Sequence, residues 1–399
     1  MILAIVGPYP FNTRAIQNGV EAVVVYLLEG LKCIRDLQIH VVSCTPYVRE
    51  DTVRTVDNVT IHYLPGARRL GNITLGLFDK YRTIKQLEEI RPDIVHIHNH
   101  ISYPFIGFSS TCPTVTTVHG IIYREDGYKK GMLEGVRRRA RTYLERAVLK
   151  RTRHVICVTP YVEDTIRPFT SAVTYVLENP VAAKFFEIKP TELTNGILFA
   201  GGIMRRKNVL GLLRGLSVLK SRLPAVELYI AGPRDDGSYF KAVERYVTEK
   251  SLQRNVHYLG QLQQDQLLRE YARCSVVASC SLEETSGLVI QQAMAAGKPV
   301  VASRIGGFRC VVDDGRTGFL VEPEDSAGFA DKLYTLLTNS EIRMNFGQAG
   351  KEEAIRRFRP QQAAAKTFRL YQELLDETPS ADGIRGDDNW PEASMVERT

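Results

Sequence analysis

A chain of 399 residues, 44% hydrophobic and 24% charged, is long enough to bury two cores of about 150–200 residues each. Its net charge of +7 is modest, and the composition excludes the aliphatic-poor class that stays disordered. No stretch approaches the roughly 20 consecutive apolar residues that a transmembrane helix needs. The opening segment MILAIVGPYP has no basic n-region, and its apolar run stops at Pro8 and Pro10. It reads as a buried first strand and not as a targeting segment. Seven cysteines lie scattered without CxxC spacing, which fits reduced thiols in a cytoplasmic protein better than a metal cluster.

In chain order, Ile2–Val6 is predicted as a strand ending in a Gly-Pro turn. Gly19–Leu37 follows with helical spacing of Val20, Val23, Val24, Leu27, Leu28 and Leu31. Strands are expected at Ile39–Ser43 and Val59–Leu64, a helix at Leu75–Ile90, and strands at Ile94–Ile97 and Thr114–Val118. A long helix, Met132–Lys150, leads to a strand at Val155–Val158. A second set opens near residue 196 with a strand at Ile197–Ala200 and a helix at Val209–Leu219. Strands at Val226–Ile230 and Val256–Leu259 come next, then a helix at Gln263–Ala272 and a strand at Ser275–Ala278. The helix Leu288–Ala296 and the strand Pro299–Ala302 close the series. Such alternation implies βα units, mostly parallel sheets and helices on both faces. The expected organisation is two doubly wound α/β domains, 1–180 and 196–357, joined by a linker at 181–195. A helix at 358–375 is expected to return to the first domain. The polar tail 376–399, which holds the single Trp390, is expected to be disordered.

Ligands of open α/β sheets bind beyond the carboxyl ends of the strands, and three loops there stand out. In the first, Pro8 to Glu21, Gly19 at a helix start would let backbone N–H groups approach an anion. An ordinary strand-to-helix turn is the plainer account, and the GxGxxG spacing of a dinucleotide site is missing. The second, Gly201-Gly202-Ile203-Met204-Arg205-Arg206-Lys207-Asn208, sets three cations beside a flexible backbone. A diphosphate needs that combination, although a solvated basic turn would look the same; Lys207 is the strongest candidate in it. In the third, Ser281 to Val300, Glu284 is placed either to accept hydrogen bonds from sugar hydroxyls or to cap a helix. Ser286, Gly287 and Leu288 offer first-turn N–H groups to phosphate. Gln292, eight residues beyond Glu284, falls one or two turns into that helix.

These loops also carry a likeness. Asn18-Gly19-Val20-Glu21, Thr117-Val118-His119-Gly120, the Arg-Lys of the 201–208 loop, Glu284…Gly287-Leu288…Ala293-Met294-Ala295-Ala296-Gly297-Lys298-Pro299-Val300, Gly306-Gly307 and Asp314-Gly315…Thr317-Gly318 stand in this order. Over roughly residues 1–375 the chain resembles the GT-B glycosyltransferases of family 4, a retaining group. The resemblance implies two Rossmann-like domains facing a central cleft and a nucleoside-diphosphate sugar as donor. It implies an acceptor hydroxyl bound mainly by the first domain, no further cofactor and no divalent metal. It implies that Gly19 approaches the donor phosphates, that His119 bonds the transferred hexose, and that Lys207 neutralises the diphosphate. Glu284, with the backbone of Ser286–Leu288, would hold the hexose and distal phosphate. Three departures stand out. Gly202 replaces the usual arginine, whose charge Arg205 or Arg206 would supply. Gln292 replaces the glutamate that binds ribose, and Cys310 replaces a glutamate after the Gly-Gly turn. Gly202 and Gln292 keep open a non-catalytic, regulatory nucleotide-sugar-binding protein.

Two features fall outside that pattern. His96, His98 and His100 alternate at a strand end, where polar packing is a better account than zinc binding or acceptor contact. Residues 129–151 gather nine Lys and Arg against two Glu. They read as a solvated helix face, or as a contact with an anionic membrane surface or acceptor. No aromatic–basic platform accompanies the charge, so nucleic acid is not an expected partner.

Overall fold

The computed structural model describes residues 1–13, 16–66, 77–98, 112–128, 134–191 and 195–377. The first sheet has eight strands: β1 (Ile2–Val6), β2 (Gln38–Thr45), β3 (Thr52–Val56), β4 (Val59–Pro65), β5 (Ile94–His98), β6 (Thr114–Val118), β7 (His154–Cys157) and β8 (Val173–Val176). Their order is β3-β4-β2-β1-β5-β6-β7-β8. Every neighbouring pair is parallel except β3 with β4. The second sheet comprises β9 (Gly196–Ala200), β10 (Glu227–Ala231), β11 (Val256–Gly260), β12 (Val276–Ser279), β13 (Val300–Ser303) and β14 (Gly318–Val321). It is wholly parallel, in the order β11-β10-β9-β12-β13-β14. Helices cover both faces, so the central strands read as continuous apolar runs; every residue of β5, β12 and β13 is buried.

Some elements differ from their sequence patterns for local reasons. The first helix spans Gly19–Leu31 and stops short of Leu37, because Asp36 adopts left-handed backbone at φ 60° as the chain turns into β2. Edge strands β3 and β8 have mostly exposed or half-buried side chains and lack an alternating apolar signal. The helices Gly237–Glu249, Ser326–Thr338 and Ser340–Arg357 and the strand β14 also join the set. The helices expected at Leu75–Ile90 and Met132–Lys150 are described over Leu77–Ile90 and Glu134–Arg151; their first residues lie outside the described set. His100, residues 129–133, residues 192–194 and the tail 378–399 with Trp390 also lie outside it.

The helix Pro360–Asp376 lies against the Gly19–Leu31 helix. Its Ala363, Ala364, Leu370, Tyr371 and Leu374 enter one core with Val24, Leu27, Leu28 and Leu31. The two backbones approach so closely that a Cβ on Gly30 would lie 2.2 Å from the Pro360 carbonyl oxygen. The same first helix sends Ala22 and Tyr26 into the second-sheet core beside Phe185, Tyr271, Ile290 and Ala293. It therefore touches both cores and forms one wall between them. Among the described residues no helix is long and apolar enough to cross a membrane.

Candidate active site

Loops from the carboxyl ends of both sheets line a cleft of about 620 Å³. Gly19, His119 and Glu125 come from the first domain, and Gly202, Arg206, Lys207, Glu284, Ser286–Leu288 and Gln292 from the second. A hollow of about 870 Å³ opens beside Met1, Gln38 and Asp93. It lies at the amino ends of β1, β2 and β5, the wrong end for a ligand of a doubly wound sheet.

The chain leaves β9 at Gly201 and winds one tight turn over Arg205–Lys207. Asn208, at φ 49°, then caps the Val209–Arg222 helix by accepting from the Gly211 amide. That turn separates the three cations. Arg205 points to Asp236, 3.4 Å away, and to Ser238, and does not line the cleft. The expectation that Arg205 substitutes for the missing arginine thus meets a side chain engaged elsewhere. Arg206 is mostly buried, donates to the Glu283 carbonyl at 3.0 Å, and stands 3.4 Å from Glu284 and 3.8 Å from Glu125. Lys207 donates from Nζ to Glu284 Oε1. Gly202 has a positive reason to lack a side chain, since a Cβ there would sit 1.9 Å from Asp235 Oδ2. Burial raises the Asp235 pKa, with Lys207 opposing the shift.

Glu284 is 8% exposed. Burial alone would push its pKa up, but the charges of Lys207 and Arg206 outweigh it and hold the carboxyl below its ordinary range. Lys207, Arg206 and Ser281 all meet Oε1. Oε2 has no partner among the described residues and remains able to accept from a hydroxyl. The helix Leu288–Ala295 starts after Gly287, whose φ of 74° suits glycine and whose Cβ position would be 2.4 Å from the Phe308 ring. No side chain caps that helix. The amides of Ser286, Gly287 and Leu288 meet no acceptor among the described residues. An uncapped helix start facing a cleft is a ready anion site. By contrast, Asn18 Oδ1 already accepts from the Val20 and Glu21 amides, so the Gly19 helix is capped from within. Gly19 itself has open space where a Cβ would go.

Gln292 accepts from Tyr271 OH at 3.1 Å and donates to Tyr26 OH at 3.5 Å. Its amide is thus engaged across the domain boundary at the cleft wall. His119 contributes its carbonyl to Thr285 Oγ1 at 2.6 Å and its Nε2 to a contact with His98 Nδ1 at 2.9 Å. Several lining or bridging residues carry no sequence signal of their own. Glu125 folds over Gly120, with Oε1 2.6 Å from a Cβ position there. Asn179 donates to Ser286 Oγ at 2.8 Å, Thr159 to the Thr285 carbonyl at 2.6 Å, and Tyr161 to Glu283 at 2.6 Å. Only the third dimension brings them to the 281–288 loop. Among the described residues no group of three or more His, Cys, Asp or Glu side chains is placed to hold a metal ion.

Family models match both halves of this chain: Glycosyltransferase Family 4 over residues 17–184 and Glycosyl transferases group 1 over 182–353. The chain belongs to the GT-B glycosyltransferases related to family 4. An uncharacterized glycosyltransferase of Methanocaldococcus jannaschii is 24% identical over 352 residues, 87% of this chain and 93% of that one. A D-inositol 3-phosphate glycosyltransferase of Corynebacterium jeikeium is 31% identical over 185 residues, 45% of this chain and 44% of that one; the match spans under half of that relative. Among solved structures, sucrose-phosphate synthase from Thermosynechococcus elongatus aligns with a TM-score of 0.78 at 21% identity, covering 94% of this chain and 100% of that one. Anabaena HepE, solved in complex with UDP-glucose, aligns with a TM-score of 0.73 at 17% identity, covering 94% and 100%. These structural likenesses show the GT-B fold of the glycosyltransferase.

The Glu284 ion cluster has a stability signature. Its folded-state pKa is depressed, so its stabilisation is present above the unfolded value of about 4.3 and is lost as pH falls through the lower folded value. Glu284→Gln should cost about 1.5–3 kcal/mol at pH 7, and its deficit in melting temperature should narrow as pH falls below about 4. Calorimetry from pH 7 to 3 checks this; a constant deficit would show that the charge is not what stabilises.

Proposed function

We propose that this glycosyltransferase moves a hexose from a nucleoside-diphosphate sugar to an acceptor hydroxyl and retains the anomeric configuration of the donor. The observation that carries this reading is one cleft wall that unites Lys207, Arg206 and the uncapped amides of Ser286–Leu288. In this reading the diphosphate lies along that wall and draws Lys207 from Glu284. Oε2 of Glu284, without a partner among the described residues, accepts from hexose hydroxyls, and His119 bonds the sugar from the first domain. Gln292 turns its amide to the ribose hydroxyls, and Gly19 leaves room beside the phosphates. Charge that develops on the departing phosphate meets a preorganised field of cations and helix-end N–H groups. That field does the work for which a divalent metal would otherwise be used. The acceptor hydroxyl approaches the same sugar face and passes its proton to the departing phosphate oxygen, so no protein nucleophile is required. Enclosure between the domains limits hydrolysis.

The complex of Anabaena HepE with UDP-glucose supports a nucleotide-sugar donor. A structure of similar fold, WaaG, is described as a glycosyltransferase involved in lipopolysaccharide biosynthesis, which supports a cell-envelope polysaccharide or glycolipid acceptor; the similar D-inositol 3-phosphate glycosyltransferase of Corynebacterium jeikeium supports a small-molecule glycoside instead. The Glu134–Arg151 helix supports work at the cytoplasmic face of an anionic membrane. It exposes Val136 and Tyr143, at 68% and 74%, beside Arg138, Arg139, Lys150 and Arg151. These four cations have no acidic partner among the described residues. Arg137 and Arg141, by contrast, pair with Glu134. Exposed basic and apolar residues together suit an anionic interface.

In a panel of nucleoside-diphosphate sugars, one donor should release nucleoside diphosphate faster when the correct acceptor is added, with retained configuration by NMR. Lys207→Ala should lower that turnover at least tenfold, about 1.4 kcal/mol; unchanged turnover would remove Lys207 from the phosphate site. In flotation assays the protein should bind vesicles rich in phosphatidylglycerol and not neutral ones. Serine at positions 138, 139, 150 and 151 together should abolish that binding, and undiminished binding would place the membrane contact elsewhere.

A further inference from the structure

The ends of β5 and β6 hold three histidines in a row, and glycosyl transfer gives a role only to the last. His96 is buried, with Nδ1 2.6 Å from Tyr371 OH and Nε2 2.7 Å from Thr117 Oγ1. His98 lies against it with ring centroids 4.0 Å apart, and its Nδ1 is 2.9 Å from Nε2 of His119. On its other side the chain at Gly7 closes in, where a Cβ would be 2.7 Å from the His98 carbonyl oxygen. His98 is 1% exposed, and its Nε2 has no hydrogen-bond partner among the described residues.

Burial, then the neighbouring His96, lowers the His98 pKa well below the ordinary histidine value. The ring is therefore neutral and carries one proton, which has two sites. On Nε2 it would be a buried N–H without an acceptor, the costlier orphan. On Nδ1 it is donated to His119, and only a lone pair stays unpartnered at Nε2. Nε2 of His119 is then an acceptor, so a neutral His119 must carry its own proton on Nδ1.

We propose that His98 is a positioning residue: it donates from Nδ1 to Nε2 of His119 and fixes His119 as the Nδ1–H tautomer that presents a donor at the cleft. The tautomer follows from the buried His98–His119 contact together with the neutral state of the His98 ring, and its kinetic consequence rests on the proposed role of His119 in sugar binding. Tyr371 of the returning helix and Thr117 hold His96, and His96 backs the His98 ring. Donor geometry at the cleft is thereby tied to the packed core.

Long-range 1H–15N correlation spectra of the full chain labelled with 15N-histidine read the tautomers directly, with His119→Gln identifying the His119 signals. The native protein should show His119 with a protonated Nδ1 and a pyridine-like Nε2. His98→Leu should shift His119 toward the Nε2–H form and lower kcat/KM about tenfold. His98→Asn can donate from Nδ2 along the same direction and should restore both. A native His119 protonated at Nε2, or a His119 tautomer unchanged in His98→Leu, would overturn the proposal. The native spectrum and His98→Asn decide the matter even if His98→Leu does not fold. Tautomer control in a protein that transfers no sugar would uphold this inference and sink the functional reading instead.

Discussion

Glu284 keeps its charge in a site that is nearly closed to water, and it does so only because Lys207 and Arg206 converge on one of its oxygens. A buried carboxylate without such partners would take up a proton or open the loop. The cluster ties β9's exit loop to β12's exit loop, and Arg206 extends it to Glu125 across the cleft. The same arrangement stores two cations at the cleft wall without an external anion. In the proposed function, a diphosphate that reached this wall would exchange one anionic partner for another, so the cations would not need to be drawn out of water.

Around that cluster the backbone does what side chains do not. Asn18 and Asn208 satisfy the starts of the Gly19–Leu31 and Val209–Arg222 helices. The helix after Gly287 has no such cap. Of these three helix starts, only the one after Gly287 lacks a side-chain cap among the described residues. Thr285, Thr159, Asn179 and Tyr161 pin the preceding loop to the first domain. The amides are therefore oriented by both lobes at once.

The sequence pattern was clearest where physics is local. Apolar runs that end in glycine mark β1 and β9 closely, because strands buried on both faces must be apolar throughout. Edge strands β3 and β8 stay hidden for the opposite reason: solvent accepts any side chain there. The 281–300 block also marks its helix, because the apolar run from Leu288 follows a glycine that takes the left-handed backbone of the N-cap. What spacing does not reveal is where long cations point. Arg205 and Arg206 are neighbours in a tight turn, yet one pairs with Asp236 outside the cleft and the other with Glu284 within it. Gly202 looked like a lost charge; in three dimensions Asp235 fills the space before it. Gln292 is engaged by Tyr26 and Tyr271, contacts between residues far apart in the chain.

In the proposed function, phosphate charge is held between Lys207 and the helix start at Ser286–Leu288. A crystal structure of the protein with a bound nucleoside diphosphate tests it most directly. Phosphate oxygens are expected within hydrogen-bond distance of the Gly287 or Leu288 amide, with Lys207 Nζ shifted from Glu284 to the phosphate. Phosphates bound elsewhere, with Lys207 still on Glu284 and those amides turned to water, would contradict it.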